Sequence, residues 1–300
     1  MIDPEALMSI KSLELRAQNV VEGFWNGLHR SPYHGFSVEF TEYRQYTPGD
    51  DPRYLDWRLY ARTDRYYIKK FEDETNLRCH LLVDNSRSMD FGTTGYTKAT
   101  YGNTLAATLA YFLYQQGDAI GLLKFDQEIR EYLPARHRTG HLRQVMLALE
   151  SPTLGTATDL TAPLRRILDL VTKRGMLVLI TDLLAPIETL QKNLSGLTAS
   201  GHEVVLFQVL DPAELNFTFE NSVMFRDVES GRDLFIDPAQ ARKEYLSKFQ
   251  AHNTAAQKTC QDLGVAFHQL ATDRPLEMAL FDYLRSRMQR GRTKRRHANV

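Results

Sequence analysis

Asp84, Ser86 and Ser88 are the residues of this chain whose types and spacing best suit a chemical role. They follow the apolar run 79–83, so a buried strand would present one carboxylate and two hydroxyl groups at its tip. Such hard oxygen ligands suit Mg²⁺, which takes about six oxygens at roughly 2.1 Å and gives up its waters reluctantly. Asp and Ser also favour turns and helix caps, so a capped strand-to-helix turn is the alternative interpretation.

Two later segments carry matching chemistry. The apolar run 176–180 predicts a second buried strand, and it ends in Thr181 and Asp182. Between the two strands, the small polar loop 155–160 opens a helix, and its threonines offer neutral oxygens. Ligands of open α/β sheets gather at the carboxyl ends of the strands, so we expect the three segments to converge there.

The order Asp-x-Ser-x-Ser, Gly-x-x-Thr-Asp, Ile-Thr-Asp resembles the metal-ion-dependent adhesion site (MIDAS) of von Willebrand factor A domains. In that family, these side chains hold one divalent ion, directly or through water. Thr158 is favoured over Thr156 as the ligand, because it directly precedes the Asp159-Leu160 pair that starts the helix. The resemblance implies an Mg²⁺ or Mn²⁺ site formed by Asp84, Ser86, Ser88, Thr158 and Asp182.

The segment before this site has a distinctive pattern of aromatic, charged and turn residues at 35–40, 44–53, 56–57 and 61–62. It is similar to the signature of a bacterial domain-of-unknown-function family, DUF58, whose members join it to a von Willebrand A-like domain. The resemblance runs from about residue 35 to the last helix. It implies partnership with a MoxR-type AAA+ ATPase or with other von Willebrand A proteins, in chaperone-like assembly or maturation of a client.

The signature segment allows two interpretations of its own. Its charged and aromatic side chains could form a second recognition surface or lie near the metal. They could instead pin a small β-module to the main domain through Asp–Arg pairs and Trp packing, which is the interpretation we favour. The residues concerned are Asp50, Asp51, Arg53, Asp56, Trp57 and Arg62.

Composition narrows the class of protein. The 300 residues carry 37 basic and 37 acidic side chains, so no overall field favours nucleic acid or an anionic membrane. The only two cysteines, Cys79 and Cys260, indicate buried thiols in a reducing compartment rather than a disulfide framework. The acidic N-terminus lacks a signal peptide pattern, and no apolar run is long enough to span a bilayer, so we expect a cytoplasmic protein.

The hydrophobic pattern predicts an α/β fold, a von Willebrand A-like, mostly parallel sheet flanked by helices. Predicted strands are 78–84, 119–125, 128–133, 176–181, 203–210 and 265–270. Predicted helices are 97–116, 139–150, 160–173, 187–200, 238–263 and 275–289.

Four regions follow from this pattern. Residues 1–34 hold an amphipathic helix, at about 4–25, and a linker, and residues 35–76 form the small β-rich module. Residues 77–284 form the main domain, with a hairpin insert at about 217–236. Residues 285–300 are a basic tail, either an arm for nucleic acid or an acidic partner or, as we favour, a helix end followed by disorder.

No catalytic apparatus is visible. His137 and His141 are four residues apart, but no third metal ligand can be nominated, and nucleotide-binding and hydrolase motifs are absent. We therefore predict a non-enzymatic, metal-dependent protein-binding adaptor. The alternatives are a Mg²⁺-dependent phosphoryl-transfer or hydrolytic enzyme using Asp84 and Asp182, and a scaffold whose metal site is vestigial.

Overall fold

The computed structural model describes residues 2–30, 42–46, 60, 62, 65–70, 77–151, 161–218, 223–226, 233–236 and 238–284. The strands are β1 Glu42–Gln45, β2 Tyr67–Lys70, β3 Arg78–Asp84, β4 Ala119–Phe125, β5 Ile129–Arg136, β6 Met176–Thr181, β7 Glu203–Leu210, β8 Val223–Arg226, β9 Asp233–Ile236 and β10 Ala266–Ala271. The helices are α1 Pro4–Ser9, α2 Leu13–Arg30, α3 Lys98–Gln115, α4 His141–Glu150, α5 Thr161–Leu170, α6 Ile187–Ala199, α7 Pro212–Asn216, α8 Pro238–Asp262 and α9, described over 276–284.

The central sheet has the strand order β10-β7-β6-β3-β4-β5. Its neighbouring strands are parallel, except that β5 runs antiparallel to β4. Every residue of β6 is buried, as is every residue of β3 after Arg78, because helices cover both faces of the sheet. The predicted α/β fold class, with a mostly parallel sheet, is confirmed.

The chain leaves β3 towards β4 and β5 on one side and then crosses to β6 on the other side. From β6 it continues outward to β7 and β10. The direction of winding therefore reverses between β3 and β6, and the connections leave a crevice at the carboxyl ends of these two strands. This is the place where the sequence predicts the site.

Alternate residues of the buried strands enter two separate cores. On β6, Val178 and Ile180 pack with residues of α2, α3 and α4, whereas Leu177 and Leu179 pack with residues of α5, α6 and α8. This alternation follows from the two-residue period of a strand. It also anchors the tip of β6, because burying each such side chain stabilises the fold by about 1.5–3 kcal/mol.

The N-terminal region differs in one respect from the prediction. The expected single helix is broken into α1 and α2, because Ile10 takes an extended conformation and Ser12 accepts the Leu15 amide. The amphipathic α2 packs on α3 and α9, with the centroid of the Phe24 ring 6.0 Å from that of Phe112 and 4.7 Å from that of Phe281.

Two further elements depart from expectation. β5 runs three residues past its predicted end and contains Pro134, which is tolerated because β5 is an edge strand with irregular pairing. The short helix α7 is not predicted, although Asp211 and Glu214 form a capping box that the sequence displays. The antiparallel pairs β1–β2 and β8–β9 lie where the β-module and the hairpin insert are predicted.

Candidate metal centre

Asp84 and Asp182 lie side by side at the carboxyl ends of the two strands that flank the crevice. Asp84 is the last residue of β3, Asp182 follows β6, and the strands pair in register with Val83 opposite Ile180. Both carboxylates are fully buried. The sheet therefore brings together two acidic groups that are 98 residues apart in the sequence, as the sequence predicts.

Neutral groups hold the Asp84 carboxylate. Its Oδ1 accepts the Ser86 amide at 2.9 Å, and its Oδ2 accepts the Thr181 hydroxyl at 2.6 Å. The Ser86 and Ser88 hydroxyl oxygens lie 3.1 Å apart, so the two hydroxyl groups of the motif are within hydrogen-bond distance of each other. Thr181 was not nominated from the sequence, although it directly precedes Asp182.

The electrostatic surroundings of Asp84 favour a cation close to its carboxylate. Burial, reinforced by the nearby Asp182 carboxylate, raises the pKa of Asp84 to about 6. A divalent cation would relieve both effects, since it would replace lost hydration and offset the like charge. Two carboxylates and two close hydroxyls form an all-oxygen donor set that fits Mg²⁺ or Mn²⁺.

Hydroxyl groups are essential to this assignment. Within the described ranges, no three His, Cys, Asp or Glu side chains gather as a metal cluster. The groups that would hold an ion are the carboxylates of Asp84 and Asp182 with the hydroxyls of Ser86 and Ser88. A bound ion would supply a Lewis-acidic position for an incoming oxygen ligand.

Lys98 is a component of the site that sequence analysis missed. Its fully buried ammonium donates to Asp182 Oδ2 at 2.9 Å and to Glu214 Oε1 at 2.6 Å. Burial alone would lower the pKa of Lys98, but the two carboxylates outweigh burial and raise it above its ordinary value. The ammonium thus fixes one oxygen of Asp182 and ties it to α7.

A signal for Lys98 exists in the sequence. It is the only charged residue of α3, and it occupies the first position of that helix. A cation there is opposed by the helix dipole, so a lysine at this position calls for acidic partners. With Asp84, Asp182 and Glu214 ionised, the cluster carries two net negative charges, which one divalent ion would neutralise.

A second buried aspartate supports the loop after the Ser motif. Asp211 accepts the Thr93 amide at 2.8 Å and the Thr93 hydroxyl at 2.6 Å, and it also caps α7 through Ala213. Glu214 closes this arrangement, because its Oε2 accepts the Asp211 amide while its Oε1 receives Lys98. The loops after β3 and β7 are therefore bonded to each other around the candidate site.

The turn after Asp182 is held from helix α8. Leu183 has a positive φ of 60°, an uncommon conformation for a leucine, and its carbonyl accepts His252 Nε2 at 2.9 Å. The Asp182 carbonyl accepts the Gln208 side chain at 3.2 Å. These bonds set the direction in which the chain leaves the candidate site.

Several predicted residues fall outside the part of the chain that the structure describes. Of the six charged and aromatic residues singled out in the signature, Arg62 is the one that the structure describes, and it is exposed. The remaining ones are Thr156, Thr158, Asp159, Asp50, Asp51, Arg53, Asp56 and Trp57.

The histidines and cysteines considered in the sequence analysis have surroundings that fit a structural role. His141 and His137 bond to the separate carbonyls of Ile120 and Tyr114. Both cysteines are buried, as predicted, and burial raises the pKa of Cys260 to about 12. None of the helices that the structure describes is long and apolar enough to cross a membrane.

Comparison with solved structures finds limited overall similarity. The conserved hypothetical protein BatB from Bacteroides thetaiotaomicron has a TM-score of 0.46 and 13% identity, over 71% of this chain and 99% of BatB. The von Willebrand factor A domain of SpRpn10 has a TM-score of 0.39 and 11% identity, over 68% of this chain and 94% of that domain. At these scores, the likenesses carry no conclusion about the site.

Sequence relatives give a firmer result. An uncharacterized protein of Mycobacterium tuberculosis H37Rv is 31% identical over 278 residues, which cover 91% of this chain and 86% of that protein. The family model described as protein of unknown function DUF58 matches residues 42–255. That match spans well over half of the chain and includes the strands that carry Asp84 and Asp182, and this protein belongs to the DUF58 family.

Proposed function

We propose that this protein is a non-enzymatic adaptor that binds a partner protein through a divalent metal ion held by Asp84, Ser86, Ser88 and Asp182. The observation that carries the proposal is the environment of the Asp84 carboxylate. Among the described residues, its carboxylate lies near a second carboxylate and accepts only from neutral donors, and burial together with that second carboxylate raises its pKa to about 6. Such a group is stabilised by a nearby cation.

The arrangement supports binding rather than turnover. The Asp84 oxygens accept an amide and a hydroxyl, and Asp182 is held by the Lys98 ammonium, so both are fixed in place. General base catalysis needs a group within reach of a substrate proton and free to accept it. We assign the metal the role of receiving a carboxylate from the partner, since a divalent ion coordinates such an oxygen directly.

The proposed partner is a MoxR-type AAA+ ATPase or another von Willebrand A protein. This partnership rests on the resemblance of the 35–62 signature and of the ligand motif to families in which such proteins occur together. The chain itself carries no nucleotide-binding motif, so energy for remodelling a client would come from the ATPase.

Metal binding is tested first, by thermal unfolding of Asp84→Asn against Asp90→Asn in Mg²⁺, Mn²⁺ or chelator. Asp90 is an exposed carboxylate in the Arg87–Asp90 turn, so it controls for charge loss in the same segment. Metal at about one hundred times its Kd should stabilise the wild type and Asp90→Asn by about 2.7 kcal/mol. An equal response from Asp84→Asn would contradict the assigned site.

Partner binding is tested next, with a purified and immobilised MoxR-type ATPase. We expect wild type and Asp90→Asn to bind in Mg²⁺ and to be released by chelator, while Asp84→Asn fails to bind. Equal retention of Asp84→Asn, or retention in chelator, would overturn a metal-dependent interface.

A further inference from the structure

A mostly apolar groove opens beside the candidate metal centre, between the turn after Asp182 and helix α8. It encloses about 470 Å³, with Leu184 and Pro186 on one wall and Tyr245, Phe249 and His252 on the other. Leu184 is 45% exposed, although it is a large apolar side chain only two residues from a buried carboxylate. Apolar surface of this kind beside polar groups is typical of interaction sites.

The first wall is bonded directly to the candidate site. The Leu184 amide donates to Asp182 Oδ1 at 3.3 Å. Leu183 turns inward and is buried, and the positive φ at this residue directs the next side chain, Leu184, to the surface. An uncommon backbone conformation that exposes a leucine costs free energy, and such conformations cluster at functional sites.

The second wall reaches the same site through α7. The Tyr245 hydroxyl donates to the Glu214 carbonyl at 3.2 Å, and the Glu214 carboxylate receives Lys98, which in turn holds Asp182. The Tyr245 and Phe249 rings stack with centroids 5.5 Å apart. His252 then joins the two walls, because its Nε2 donates to the Leu183 carbonyl at 2.9 Å.

The rim of the groove carries positive charge. Lys248 lines the groove, and its ammonium meets Glu244 at 2.6 Å on the exposed surface, where an ion pair contributes little and exchanges readily. With a divalent ion at Asp84 and Asp182, two cationic groups would flank the apolar walls. The surface is therefore complementary to a segment that combines one carboxylate with one large apolar side chain.

We propose that the groove receives a large apolar side chain of the partner segment whose carboxylate binds the metal. This inference rests on the proposed function. Leu184 is two residues from Asp182, so their Cα atoms are at most about 7 Å apart. The apolar residue of the partner therefore lies one or two residues from its acidic residue, which makes the recognised element a short acidic-apolar motif.

The probe is a matched pair of synthetic peptides, acetyl-Gly-Asp-Gly-Leu-Gly-amide and the same peptide with Ser in place of Leu. They are titrated to about 5 mM into the methyl-labelled full-length protein in Mg²⁺, a range that detects dissociation constants near 1 mM. The Leu184 methyl signals should shift, and the Leu peptide should bind about 10-fold to 100-fold more tightly than the Ser peptide.

Two surface variants identify the groove. Leu184→Ser should remove the preference for the Leu peptide, whereas Leu147→Ser should keep it, because Leu147 is an exposed leucine on α4 that does not line the groove. Equal affinity of the two peptides, preference retained in Leu184→Ser, or no shift at the highest concentration would overturn the groove assignment.

Chelator separates this inference from the proposed function. If Mg²⁺-dependent peptide binding occurs without any preference for Leu, the metal-dependent interface stands and the groove assignment fails. If the Leu peptide binds at Leu184 equally well in chelator and in Asp84→Asn, the metal-dependent interface fails, and the joint acidic-apolar motif is overturned with it.

Discussion

Four strand-end aspartates lie along one edge of the same sheet, and they form an inner pair whose carboxylates are close neighbours and an outer pair separated by the two inner strands. The outer pair, Asp126 and Asp211, is bonded to groups that satisfy it: Asp126 receives the Arg130 guanidinium and the Glu128 amide, and Asp211 receives Thr93 and caps α7.

The inner pair is surrounded differently. Among the described residues, the Ser86 amide and the Thr181 hydroxyl donate to Asp84, and burial, reinforced by the nearby Asp182 carboxylate, raises its pKa. The residue type, the edge of the sheet and the burial are the same in both pairs. The difference lies in position, since the inner pair flanks the crevice where the winding of the sheet reverses.

This contrast indicates which carboxylates stabilise their own loops and which could bind a cation. An aspartate whose oxygens are used by caps and guanidinium groups stabilises its loop. Two buried aspartates placed together destabilise the metal-free protein unless a cation joins them. The Lys98 ammonium supplies part of that positive charge, and its removal should therefore lower the free energy of unfolding.

The largest expected effect is that of Lys98→Met. The variant leaves Asp182 and Glu214 buried without their ammonium partner, and breaking such a pair costs about 3–5 kcal/mol. Urea unfolding in chelator should show this loss, and Mg²⁺ should restore part of it. Lys248→Met is the matched control, because its ion pair is exposed. A loss below about 1 kcal/mol would mean that Lys98 does not balance the inner pair.

Asp211→Ala should cost somewhat less, about 2–4 kcal/mol, because α7 loses its cap and Thr93 loses a charged acceptor. The variant should nevertheless keep the stabilisation by Mg²⁺, since Asp211 belongs to the outer pair. Urea unfolding with and without Mg²⁺ measures both quantities. Loss of the metal response in a folded Asp211→Ala protein would break the distinction between the pairs.

Asp84→Asn should stabilise the metal-free protein, in contrast to the two variants above. Holding Asp84 ionised in the folded state costs free energy at neutral pH, because its pKa is raised from 3.8 to about 6. A neutral amide removes this cost, and we expect a gain of about 1–3 kcal/mol in chelator. Urea unfolding at neutral pH provides the test, and a destabilised Asp84→Asn would contradict a net cost of keeping Asp84 ionised.

The smallest effect is expected from the same variant in acid. The folded-state pKa of Asp84 lies above its unfolded value, so the cost of ionisation is complete above about pH 6 and absent below about pH 4. The gain from Asp84→Asn should therefore shrink towards zero as the pH falls through this window. Unfolding in chelator at several pH values measures it, with Asp90→Asn as the reference. A gain independent of pH would exclude the ionisation of Asp84 as its source.

Much of this architecture is readable from local pattern. The continuous apolar runs predict β3 and β6, and their ends place Asp84, Ser86, Ser88 and Asp182 at one edge of the sheet. The exceptions have local causes: Ser12 divides the N-terminal helix, and the edge position of β5 lets it continue through Pro134. Neither cause changes the hydrophobic period from which those elements were predicted.

By itself, the sequence determined the family, the α/β class and the order of the acidic and hydroxyl residues along the chain. These depend on motifs and periodicities within short windows. Only the tertiary structure decided which aspartates cap helices or pair with basic groups and which lie beside a second carboxylate. Lys98 meets Asp182 and Glu214 across separations of 84 and 116 residues, and Thr93 meets Asp211 across 118. Such contacts follow from strand order, because the sheet alone sets which loops share an edge.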